Sequence, residues 1–230
     1  MRRTRIKICG ITRPQDAALS SQLGADAIGM IFHPASRRCV SLERAGRILA
    51  AIEPMTTPVG LFVDATVQTI LETVRAVNLN HVQLHGHESP EFIADLQQSG
   101  HPMVILKAIR VDPAQFAQTL EHWRKAIAAL KLSGLRGLVL ETPSDLPGGT
   151  GQPNDWTTIA SHQQSGHSHG LPPLIAAGGL TPHSVAGVIE QLHPYAVDVS
   201  SGVEEKFGEK SEQKLRDFFA AVRSTERQSG

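Results

Sequence analysis

The 230-residue chain is poor in several things at once: it has 2 cysteines, 1 tyrosine, 2 tryptophans, 7 phenylalanines and no net formal charge. Two cysteines cannot build a disulfide framework, and neither CxxC nor any Cys/His spacing of a zinc site occurs. That usage fits a reducing cytoplasmic compartment. The balance of 22 Lys plus Arg against 22 Asp plus Glu supplies no long-range field, and no run of five like charges marks a basic arm. A nucleic-acid partner is therefore not expected. No apolar run approaches the ~20 residues of a membrane span, and the basic start Met1-Arg2-Arg3-Thr4-Arg5 lacks the apolar stretch of a signal peptide. No membrane partner is expected either, while the oligomeric state is left open.

What the chain does have is a repeated alternation. Short β-branched apolar runs recur at 6–10, 27–32, 59–63, 82–85, 104–109, 138–141, 174–177 and 196–199, separated by stretches with helical spacing. Ser41, Thr66, Ser89-Pro90, Asp112-Pro113 and Thr181-Pro182 stand where helices should open. Four of the seven steps between strand starts are 21–23 residues long, enough for one strand, one helix and two tight turns. Such units imply parallel neighbours joined by right-handed crossovers. Eight of them in a chain slightly short of ~250 residues predict an α/β fold, a single (βα)8 TIM barrel over 1–223, with a polar C-terminal tail at 224–230. An open doubly wound sheet would want GxGxxG after the first strand, and Cys9-Gly10-Ile11-Thr12-Arg13 is not that motif.

In such a barrel chemistry lies at the C-terminal ends of the strands. Those positions are Cys9, Arg37-Arg38, Asp64, Gln83, His85, Lys107, Arg110, Glu141, Gly178-Gly179 and Asp198 with Ser200-Ser201-Gly202. Glycines there let backbone N–H groups approach an anion, and Ser201-Gly202-Val203-Glu204 reads as a capping box opening a short helix. Gly178, Gly179, Ser200, Ser201 and Gly202 are thus phosphate-binding candidates, with Gly148-Gly149-Thr150-Gly151 a further glycine loop. Period two puts Lys7 and Cys9 on one face, so the Cys9 thiol can act as base or nucleophile, its pKa tuned by a nearby cation. A merely buried thiol is the competing reading. Arg37-Arg38 offers a fork for a carboxylate or phosphate unless it is only solvated, and Glu141, closing an apolar strand, is a candidate general acid. Gln83 and Asp198 join Arg38 as substrate-binding candidates. Cys39 is read as incidental. His162, His167 and His169, in a Gly/Ser-rich stretch placed on the opposite face, are read as loop residues and not as a metal site.

These segments together resemble phosphoribosylanthranilate isomerase: Lys7-Ile8-Cys9-Gly10, Val82-Gln83-Leu84-His85-Gly86, Lys107-Ala108-Ile109-Arg110, Ala177-Gly178-Gly179-Leu180 and Asp198-Val199-Ser200-Ser201-Gly202-Val203-Glu204, in order along nearly the whole chain. The resemblance implies an Amadori rearrangement in tryptophan biosynthesis without metal or organic cofactor. It also implies Cys9 as general base, Arg38 as partner of the anthranilate carboxylate and the last two loops as phosphate cradle. The family's acid is usually aspartate, whereas this chain has Glu141. Either the site adjusts to the extra methylene, or Asp145 donates the proton, or turnover is slow. Another phosphosugar barrel enzyme, and a non-catalytic barrel that binds a phosphorylated ligand, are the alternatives.

Overall fold

A computed structural model describes residues 3–112, 114–141, 156–164 and 169–227. Eight strands close into one parallel barrel in chain order: β1 Arg5–Ile8, β2 Ala27–Ile31, β3 Thr57–Phe62, β4 His81–Leu84, β5 Val104–Arg110, β6 Leu135–Glu141, β7 Leu174–Ala176 and β8 Ala196–Val199. Closure is made by β1 against β8, with Lys7 level with Asp198 and Ile8 level with Val199. None of the eight has a free edge and most of their residues are buried, which is why the runs are rich in apolar side chains.

Helices α1 Pro14–Gln22, α2 Leu42–Leu49, α3 Val67–Ala76, α4 Pro90–Gln98, α5 Phe116–Leu130, α6 Trp156–Gln164, α7 Val185–Leu192 and α8 Glu212–Arg227 follow the strands. Three expected caps form as read. Ser41, Thr66 and Ser89 accept from the amides of Arg44, Thr69 and Phe92. Two starts differ. Asp112 accepts the Ala114 amide in a turn and α5 opens only at Phe116, while Thr181 bonds Ser184 and α7 opens at Val185. A hydroxyl or carboxylate can close a local turn as readily as cap a helix, and here the turn wins. The tail expected from Ser224 also needs correction: α8 is helical through Arg227 and Thr225 is buried.

The side-chain period of two sorts the strands into two packing zones. Ile8, Ile28, Leu84, Ile105, Ile109, Leu138 and Leu140 belong to the large cluster shared with the helices, alongside Phe62, Phe116, Phe218 and Phe219. Ala108, Val139, Ile175, Ala177 and Ala196 form a second cluster of smaller side chains. Two residues beyond Val139 and Ala196 stand Glu141 and Asp198, on the same strand faces but at the mouth. The apolar plug therefore carries a polar layer on its C-terminal side, as barrel interiors are layered.

Past β8 the chain makes a 3₁₀ turn, Ser201–Val203, and an antiparallel hairpin, β9 Glu204–Lys206 with β10 Glu209–Lys210. This hairpin was not foreseen from sequence, and it shapes the site. No helix among the described residues is long and apolar enough to cross a membrane.

Candidate active site

The Lys7 ammonium lies 2.7 Å from Asp198 Oδ2, and both side chains are buried. They meet because register places the two residues on adjacent strands with their side chains on the same face. Burial works against the Lys7 cation, but Asp198 and Cys9 outweigh it, so its pKa is raised. Cys9 sits one residue past β1, its amide donating to the Val199 carbonyl at 2.8 Å. Burial pushes the thiol pKa up and Asp198 adds to this, while Lys7 and Lys210 pull it down without cancelling it. The cation beside the thiol is thus where sequence placed it, but burial wins. Cys9 rests as a thiol whose anion has Lys7 beside it.

Glu141 ends β6, half-buried, with its pKa raised to about 8 by burial and by the neighbouring Asp198 charge, against the opposing pull of Lys7. At neutral pH it is a carboxylic acid and a proton donor. Burial and the charges of Lys7 and Lys107 lower His85 to about 4, so its imidazole is neutral. Gln83 Nε2 lies 3.2 Å from His85 Nδ1. Among the described residues, Gln83 Oε1 and Asp198 Oδ1 are buried and accept from no protein group. Such orphaned acceptors in a cavity wall call for donors from a bound molecule.

One cavity at the mouth brings together Cys9, Gln83, His85, Glu141, Asp198, Arg38, Gly178, Gly179, Ser200, Ser201 and Gly202, the acid, base, substrate-binding and phosphate-binding candidates among the described residues. It holds about 730 Å³ of empty space, including its opening to solvent. Ile31, Leu61 and Val63 give one wall an apolar surface. The glycines of the β7 loop, Gly178 and Gly179, have φ of 85° and 65°, which turns their backbone as L side chains rarely allow.

Gly202 is needed for a different reason: a Cβ there would lie 1.9 Å from the Leu180 carbonyl oxygen. The two candidate phosphate loops are packed backbone to backbone. Gly202→Ala should therefore separate them, costing roughly 1–3 kcal/mol in stability and raising KM. Thermal melts and steady-state kinetics check this, and a variant with unchanged KM would mean that the loop spacing does not matter to binding. The capping box does not form. No side chain caps the 3₁₀ turn, because the Glu204 carboxylate is taken by Arg38 and Lys210.

Arg38 is buried, not solvated. Its Nε and Nη2 donate to the two Glu204 oxygens at 2.8 and 2.7 Å, and its guanidinium lies 3.9 Å from the Phe207 ring centre. Arg37 is exposed and stacks on the same ring at 4.2 Å. Sequence reasoning missed Phe207 and Lys210 because a three-residue strand and a two-residue strand carry no periodic signal.

Two strand-end residues turn away from the cavity. Lys107 shares its strand face with Ile105 and Ile109 and pairs with buried Glu88 at 2.7 Å. Asp64 has φ of 48° and bonds His87, tying down the loop after β4. Cys39 is exposed and Cys9 buried, and both are free thiols. His162 packs edge-on to Phe116, and His169 lies in a turn. Among the described residues no cluster of three or more His, Cys, Asp or Glu can hold a metal. Asp145, Gly148 to Gly151 and His167 lie outside the described residues.

A closed barrel whose mouth gathers a thiol, a neutral carboxyl and glycine loops defines the class: a (βα)8-barrel enzyme. A family profile described as N-(5'phosphoribosyl)anthranilate (PRA) isomerase matches residues 6–221. The chain belongs to this family. It is 42% identical over 226 residues to N-(5'-phosphoribosyl)anthranilate isomerase of Pseudomonas fluorescens strain SBW25, covering 98% of each chain. Among solved structures, the phosphoribosyl anthranilate isomerase of Thermotoga maritima superposes with a TM-score of 0.82 at 33% identity, covering 96% of this chain and 99% of the other. The Thermus thermophilus enzyme gives 0.80 at 32% identity with the same coverage. A third structure, phosphoribosyl anthranilate isomerase in complex with reduced 1-(o-carboxyphenylamino)-1-deoxyribulose 5-phosphate, gives 0.79 at 32% identity, again covering 96% and 99%.

Proposed function

We propose that this cavity carries out the family's reaction with Glu141 as general acid and Cys9 as general base. The chain is an aldose-ketose isomerase of tryptophan biosynthesis acting on N-(5'-phosphoribosyl)anthranilate, as its family and named relatives have it. The observation that carries the assignment of roles is that a carboxyl protonated at neutral pH and a thiol beside a buried lysine line one cavity.

Glu141 gives its proton to the furanose ring oxygen as the C1'–O4' bond breaks and the anthranilate nitrogen lone pair forms the C=N bond. The resulting iminium is cationic, and together with Lys7 it favours the thiolate form of nearby Cys9, whose thiol proton leaves to solvent through the open cavity. The thiolate takes the C2' proton, and the C–H electron pair moves into the C1'–C2' bond, leaving an enolamine with neutral nitrogen. Loss of the 2'-hydroxyl proton and protonation of C1' give the ketone. C1' is reduced and C2' oxidised within one molecule, so the sequence balances without an external oxidant or reductant.

Binding follows from the walls of the cavity. The apolar side formed by Ile31, Leu61 and Val63 suits the aromatic ring, with Arg38 for its carboxylate. Gly178, Gly179, Ser200, Ser201 and Gly202 suit the phosphate through backbone and hydroxyl donors, and the vacant acceptors on Asp198 and Gln83 suit the sugar hydroxyls. The seat of the reaction is the cytoplasm, consistent with two free thiols.

The test is conversion of freshly prepared N-(5'-phosphoribosyl)anthranilate, followed by the change in its fluorescence, with complementation of an isomerase-deficient tryptophan auxotroph. Turnover and growth are expected. A folded protein that binds a product analogue yet neither turns over nor complements would instead be a phospho-ligand-binding barrel.

A further inference from the structure

We propose that Glu204 and Lys210 of the β9–β10 hairpin are positioning residues that set the preference of the site for a substrate bearing a carboxylate. The inference rests on the reading of Arg38 as the carboxylate's partner and goes one step beyond it. It concerns what aims the arginine and what charge stands behind it.

A guanidinium has five N–H donors in a rigid plane. Glu204 takes the Nε donor and one Nη2 donor in a bidentate pair at 2.8 and 2.7 Å. That leaves the Nη1 edge and the outer Nη2 hydrogen for the cavity that Arg38 lines. The paired edge fixes rotation in the plane, and stacking on Phe207 at 3.9 Å fixes the plane itself. Gly10 makes room for the side chain: a Cβ at that position would lie 2.7 Å from Arg38 Cδ.

A lone Arg–Glu pair would be neutral and a poor anion receptor. Lys210 changes that, reaching Glu204 Oε1 at 3.1 Å and the Ser200 carbonyl at 2.9 Å from a fully buried position. Burial lowers the Lys210 pKa and Glu204 pulls it back up, and with the ammonium donating to both Glu204 and the Ser200 carbonyl two cations share one carboxylate, which gives the buried cluster a surplus positive charge beside the cavity. The hairpin that supplies it is anchored from outside. Arg13 bridges Asp16 and Glu209 at 2.8 Å each, and the Lys210 amide donates to Asp16 at 3.1 Å.

The experiment compares kcat and KM on two substrates, N-(5'-phosphoribosyl)anthranilate and N-(5'-phosphoribosyl)aniline, which lacks the carboxylate. Glu204→Gln should lower kcat/KM for the first by roughly 10- to 100-fold, mostly through KM, the size expected for loss of a charge-assisted positioning bond. For the aniline compound the change should stay within about 3-fold. Lys210→Met, which removes the surplus charge but leaves the Arg38–Glu204 pair, should erode the preference in the same direction. Equal losses on both substrates, or a preference left intact in both variants, overturn the proposal. If Glu204→Gln fails to fold by circular dichroism, Lys210→Met alone decides. Arg38→Met separates the two layers of the argument. If it impairs both substrates equally, the carboxylate reading of Arg38 fails. If it erases the preference while the hairpin variants keep it, only the positioning role fails.

Discussion

Glu141→Gln should lower kcat by about 10² to 10⁴-fold, the span that a positioned general acid contributes, and at the same time make the protein more stable in alkali. The two effects share one cause. In the fold, Glu141 ionises at about 8, against 4.5 for an unperturbed glutamate, because burial and Asp198 oppose its charge. Below the unfolded-state value both states hold the proton and the group is neutral to stability. Between 4.5 and about 8 the unfolded chain releases the proton and the folded chain keeps it, so stability falls as pH rises across that window and levels off above it. Glutamine has the same shape and no proton to lose. Wild type and variant should therefore melt together near pH 4. At pH 9 the variant should melt higher, by a few kcal/mol of stability, corresponding to roughly 5 °C or more in a domain of this size. Melting curves and kcat at both pH values test the pair of claims. Full activity in the variant would move the acid role to Asp145. Loss of activity without the alkaline gain would mean that Glu141 is ionised in the resting site and cannot be the donor.

The same residue shows how far sequence reading reaches and where it stops. A carboxylate at the end of Leu138-Val139-Leu140 is visible as an oddity, because period two and the barrel's layering place it at the mouth. Its protonation state is not visible, since that depends on Asp198 and Lys7 arriving from strands 57 and 134 residues away. The eight strands were legible because short runs rich in β-branched apolar residues recur between stretches with helical spacing, and three helix starts were legible because a hydroxyl caps them. Arg38 and Glu204 are both visible in the sequence, but separately, as a fork for an anionic ligand and as a capping residue. Their bond joins positions 166 residues apart through a hairpin too short to show periodicity. Which way Lys107 faces is not visible from its place near a strand end; its register against Leu138, in the cluster shared with the helices, reveals it.

Cys9→Ser is the second large effect. The hydroxyl is close in size to the thiol but far weaker as an acid, so the base is lost while the packing is nearly kept. The expected fall in kcat is again about 10² to 10⁴-fold, with KM within a few fold, since the group acts on C2' after ring opening. Deuterium at C2' sharpens the test. Proton abstraction should become the slow step, so the isotope effect on kcat should exceed that of the wild type. An isotope effect that does not grow would place Cys9 outside the proton transfer. The charge beside the sulfur can be tested apart from turnover. In a Cys39→Ser background, which removes the exposed thiol, alkylation of Cys9 by iodoacetamide should be slow at neutral pH and rise with pH, because burial raises the thiol pKa. Lys7→Met should slow it further at every pH below full ionisation, since Lys7 is the largest influence pulling that pKa down. Alkylation that is equally fast with and without Lys7 would mean that the lysine serves Asp198 alone and the thiolate must find its countercharge in the substrate.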